Sequence, residues 1–106
     1  MKIDESLITM AVACILKAAR PKKVILFGSA ATGFMTCDSD LDLLVIEDGF
    51  GSAREENRRL RGALQGLGTP VDVFAMTTER FEETKGVIGG LAYPANKYGR
   101  VVYEES

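Results

Sequence analysis

The pattern of apolar residues predicts an α/β (α+β) chain: a mixed sheet of about four strands flanked by helices, in a single domain covering 1–106. Three observations carry this reading. Apolar residues recur at three- and four-residue steps over 4–19, the period of a helix with one buried face. Three short runs, VILF, LDLLVI and VDVFAM, are too short for helices of that kind and rich in β-branched or aromatic residues, as strands are. Helical and strand patterns alternate along the chain, which points to helices layered on a sheet. At 106 residues the chain has the size of one domain, large enough to bury a core without staples.

The elements follow in order. Residues 4–19, DESLITMAVACILKAA, place acids first and lysine late, the favourable polarity for a helix dipole, and Pro21 stops the run. Val24 to Phe27 is apolar at every position, as in a strand covered on both faces. SAATGF after it predicts a short helix ended by Gly33, and MTCDSD a polar turn. LDLLVIED forms the second strand. The next helix starts near Ser52 and ends at Gly66 or Gly68, with its charges gathered between Arg54 and Arg61 as a solvated face. TPVDVFAMT is the third strand, with Asp72 in its middle. Thr77 or Thr78 caps the short helix that follows. Beyond the Gly89-Gly90 pair, a short helix is expected from Ala92 to Tyr98, and RVVYEE closes the chain as an edge strand.

Composition removes several kinds of chemistry. Histidine is absent, so Ser-His-Asp and Cys-His triads and His-based zinc sites are excluded. The two cysteines, Cys14 and Cys37, read as reduced thiols, Cys14 as a core residue. The net charge of −2 provides no standing nucleic-acid footprint. The first residues do not resemble an export signal and no run reaches the ~20 apolar residues of a membrane span, so the cytoplasm is the expected compartment.

Catalysis must then rest on carboxylates, hydroxyls, lysines or backbone. Asp40 and Asp42 are two apart at the head of a strand, so both point to one face while Leu41, Leu43 and Val45 point to the other. If the strand of Asp72 is its neighbour, three carboxylates meet. Such a cluster repels itself unless a divalent cation with a preference for hard oxygen ligands, such as Mg²⁺, is bound. Two such ions suit in-line displacement at phosphorus. Gly28-Ser29 ends the first strand and opens the next segment. Glycine admits a phosphate close to backbone N–H groups, and the serine hydroxyl can donate to it. Each element alone is ambiguous: an Asp-x-Asp pair is often a turn or a calcium-type loop, and Ser29 is also a plain N-cap. Asp38 shares the spacing but belongs to the turn.

Together, Gly28-Ser29, ten residues, then Asp40-x-Asp42 resembles the signature of the DNA polymerase β-like nucleotidyltransferase superfamily. The segment ILFGSAATGFMTCDSDLDLLVI looks like its minimal nucleotidyltransferase (MNT) group, PVDVFAMTTERF is similar to that group's third acidic strand, and RVVYE to its final strand. The resemblance covers nearly the whole chain from Lys23 onward and implies the polymerase β-like fold. It implies that Asp40 and Asp42 bind two Mg²⁺ ions, and that Asp72 completes one metal site and helps deprotonate an acceptor hydroxyl. Gly28 and Ser29 would hold the phosphates of a nucleoside triphosphate, usually ATP. Ala30 and Thr32 stand where many members of the group carry arginine.

A chain of this length leaves no second domain to hold the acceptor, so a second chain, a twin or another protein, is expected to present it. The resemblance implies a helical HEPN-family toxin whose tyrosine receives AMP, making the protein an antitoxin. An antitoxin that neutralises by binding alone is one alternative, and an aminoglycoside-type O-nucleotidyltransferase another. Lys97 and Arg100, with Tyr98 between them, are candidate groups beside a nucleotide but suit a solvated surface better. Tyr93 and Tyr103 are minor candidates for self-modification.

Overall fold

The computed structural model describes residues 5–27, 41–68 and 71–105. Their elements are helix α1 (Glu5–Ala18), strands β1 (Lys23–Phe27) and β2 (Leu41–Ile46), helix α2 (Ala53–Ala63), strand β3 (Val71–Met76), helices α3 (Thr78–Thr84) and α4 (Ala92–Tyr98), and strand β4 (Arg100–Glu104). A 3₁₀ turn, Gln65–Leu67, follows α2, and Gly68 closes it in the left-handed region that glycine adopts without strain. The expected helix in SAATGF and the turn at MTCDSD lie outside the described residues.

The strands form one mixed sheet in the order β3-β2-β1-β4. β1 pairs antiparallel with both β2 and β4, whereas β2 and β3 are parallel. Parallel neighbours need a crossover, and α2 supplies it. Alternation along the strands then sorts the core into two layers. Val24, Leu26, Leu41, Leu43, Val45, Val73 and Ala75 face α1 and α2, meeting Ile8, Ala11, Val12, Ile15, Leu60 and Leu64. Ile25, Phe27, Leu44 and Ile46 face the other way, against Phe81 of α3 and Ala92 and Ala95 of α4. Cys14 is half-buried at the border of the first layer rather than inside it.

Local chemistry fixes the element ends. Ser52 caps α2 by accepting from the Glu55 N–H, and Thr77 caps α3 by accepting from the Arg80 N–H at 3.1 Å. These bonds satisfy N–H groups that a first helical turn leaves without partners. Asp48 holds the same corner from outside α3, accepting from the Thr78 N–H and hydroxyl, each at 2.9 Å. Those bonds, with Lys22 beside them, keep its carboxyl below the usual range. Pro94 falls in the first turn of α4, where a missing N–H costs nothing.

Candidate active site

Asp42 and Asp72 are each the second residue of their strand, and they are direct partners in the parallel β2–β3 ladder. Paired residues share a face, and neighbouring strands are about 4.8 Å apart, so the two carboxylates stand side by side. Their face is the one covered by α3 and α4. Leu44 and Ile46, two and four residues after Asp42, pack there, as do Phe74 and Met76 after Asp72. Phe27, the last residue of β1, pairs with Asp42 from the other side. A row Phe27–Asp42–Asp72 therefore crosses one end of the sheet. The Phe27 and Phe74 rings, 6.2 Å between centroids and tilted by 50°, make an aromatic floor next to the acids.

Asp72 is the second residue of β3 as described, Thr69 and Pro70 lying outside the described residues, and like Asp42 it is half-buried. Half-buried, the two acids do not bear the full cost of core burial. Gly28 and Ser29 directly follow Phe27 in the sequence, and Asp40 directly precedes Leu41. With Ala30, Thr32, Cys37 and Asp38, they lie outside the described residues.

Two adjacent, half-buried carboxylates are hard oxygen donors that repel each other, a donor set suited to Mg²⁺. Among the described residues no group of three or more such ligands occurs. Asp42 and Asp72 thus fit a hard divalent cation as part of a ligand set.

Arg100 is ion-paired with Glu5 of α1 at 2.8 Å. Its strand partner is Leu26, a residue of the α1 side of the sheet, so Arg100 faces away from the aspartates. Lys97 stays on α4, accepted by the Tyr93 hydroxyl at 3.1 Å and lying over the rings of Tyr93 and Tyr98. The hydrogen bond to Tyr93 holds its ammonium pKa above the usual value. Tyr103 packs against the α1–α2 core.

A second ionisable cluster lies beyond the opposite end of β2, where the sequence showed only a strand end. Glu47 is 4% exposed, and one of its carboxyl oxygens has no hydrogen-bond partner. Burial, then a hydrogen bond to Glu56 and that group's negative charge, push its pKa to about 8. Glu56 is held low by its hydrogen bonds from Arg59 and then from Glu47. Arg59 also donates to the Ala18 carbonyl at the end of α1. The cluster thus ties α1, α2 and β2 together beside a cavity of about 230 Å³. The only hint in the sequence is the i, i+3 spacing of Glu56 and Arg59; nothing in it pairs Glu47 with Glu56.

Comparison with known proteins agrees with the architecture. The description of the nucleotidyltransferase domain family matches residues 11–93. The chain belongs to that family, within the polymerase β-like superfamily. Among solved structures it is similar in fold to a Sulfolobus solfataricus protein described as a "putative nucleotidyltransferase". That similarity has a TM-score of 0.64 at 17% identity, over 93% of this chain and 78% of the other. No curated protein matches the sequence. Among the described residues, no helix is long and apolar enough to cross a membrane.

Proposed function

We propose that this domain transfers a nucleoside monophosphate, AMP from ATP, to a hydroxyl on a protein partner, with Mg²⁺ as its cofactor. The observation that carries the reading is the in-register pairing of Asp42 with Asp72 on one face of the sheet. The family membership and the Gly28-Ser29 to Asp40-x-Asp42 spacing support it.

Asp40, Asp42 and Asp72 would hold the metal, and Gly28 and Ser29 the triphosphate. Bound Mg²⁺ would neutralise charge on the phosphates as the α-phosphorus is attacked. Asp72 accepts the proton of the acceptor hydroxyl. The acceptor oxygen bonds to the α-phosphorus, the bond from that phosphorus to the bridging oxygen breaks, and pyrophosphate leaves with the electron pair. The half-burial of Asp42 and Asp72 is compatible with an acceptor brought by a second protein. A tyrosine of a HEPN-family toxin is the acceptor we favour, which makes the domain an antitoxin. The change of two family arginines to Ala30 and Thr32 favours a second reading, an antitoxin that neutralises by binding alone.

Label transfer separates the two. The protein is mixed with Mg²⁺, a HEPN-family partner and ATP labelled at the α- or the γ-phosphate. Partner-bound label from the α position only, absent with Asp42→Asn, is the expected result. A stable complex that never acquires label supports the binding-only reading.

A further inference from the structure

Helix α2 carries four arginines and two glutamates in a chain whose net charge is −2. Arg59 is committed to Glu56 and the Ala18 carbonyl. Arg54, Arg58 and Arg61 are different. All three are exposed, and none forms an ion pair among the described residues. Their spacing of four then three residues keeps them within a narrow stripe along the helix, about 10 Å from first to last. With Asn57 they line one shallow concavity of about 450 Å³.

Asn57 fixes where this stripe lies. Its side-chain oxygen accepts from the Ala75 N–H of edge strand β3 at 2.6 Å. The stripe therefore flanks the outer edge of the sheet. As the crossover between two parallel strands, α2 runs opposite to β3, so Arg61 lies further toward the start of β3, where Asp72 stands. Helix α2 covers the face of the sheet opposite to the aspartate pair, so the stripe lies behind and beside that site rather than over it.

We infer that the Arg54–Arg58–Arg61 stripe is the docking surface for a partner protein that presents an acidic helix. Charge complementarity asks for an anionic partner. The four-then-three spacing suits a straight rod with carboxylates repeating at the same steps, as on the face of another helix. Nucleic acid fits less well: three cations neutralise few phosphates, the overall charge is negative, and no aromatic side chain interrupts the stripe as a stacking platform. The inference rests on the reading that the acceptor comes from a second chain, and it assigns that chain its contact.

The test uses the whole protein and three fluorescent probes over 20–300 mM NaCl. One is a helical Ala-rich peptide with glutamates at four-then-three spacing, one its glutamine counterpart, and one a 12-nucleotide single-stranded RNA. The expected result is binding of the glutamate peptide at least tenfold tighter than of the glutamine peptide or the RNA, weakening as salt rises. The variant Arg54→Gln/Arg58→Gln/Arg61→Gln should lose that preference while its circular dichroism and its Mg–ATP binding stay unchanged. Asp42→Asn should lose Mg–ATP binding yet keep the peptide, so failure of the metal site and failure of the docking surface are read separately. Equal binding of the two peptides, no binding of either, or full binding by the triple variant overturns the inference. Tighter binding of RNA than of the glutamate peptide also overturns it.

Discussion

Glu47 keeps its proton at neutral pH because burial and the neighbouring Glu56 both oppose its charge. Its folded pKa of about 8 lies above the ordinary value of 4.5, so between those limits the folded state binds more protons than the unfolded one. Stability from this group is fully present below about pH 4.5 and is lost as pH rises toward 8. The loss amounts to something on the order of a few kcal/mol. Glu47→Gln preserves a donor toward Glu56 and removes the titration. Its thermal midpoint should match the parent near pH 4.5 and exceed it increasingly up to pH 8. Two parallel curves of midpoint against pH would contradict this account. At the aspartates, Asp72→Asn should retain much of the Mg–ATP binding and lose transfer, which initial rates at saturating ATP would show; unchanged turnover would remove Asp72 from the mechanism.

At the scale of elements, the turn from α4 into β4 is a tight joint. A Cβ on Gly99 would stand 2.2 Å from the Ala95 carbonyl oxygen, 2.6 Å from Cγ2 of Ile25 and 3.0 Å from the Leu26 carbonyl oxygen. Two of those contacts are backbone and cannot swing aside. Gly99→Ala should therefore cost about 1–3 kcal/mol, read from chemical denaturation, as overpacked sites do. Most elements were legible from sequence because their signals are local. The period of α1, the cap at Ser52, Thr77 before α3, and even α4 despite Pro94 all depend on residues a few positions apart. Strand neighbours are not local. The adjacency of Asp42 and Asp72 depends on β2 lying beside β3, a pairing between residues 30 positions apart. The Glu47–Glu56–Arg59 cluster was illegible because its burial exists only once α1, α2 and β2 meet.

Across the whole molecule, the sheet separates two jobs. One end carries the half-buried aspartate row, and the other carries the buried Glu47–Glu56 pair that ties helices to strands. Two like charges side by side oppose each other, so removing one relieves that opposition where no cation is bound. Asp42→Asn should accordingly leave the metal-free protein as stable as the parent or slightly more so. Calorimetric titration of ATP into the protein with and without Mg²⁺ decides whether this pair is a cation-dependent nucleotide site. Binding by the parent is expected only when Mg²⁺ is present, and none by Asp42→Asn at the same concentrations. Mg–ATP binding by Asp42→Asn as tight as that of the parent would contradict that assignment.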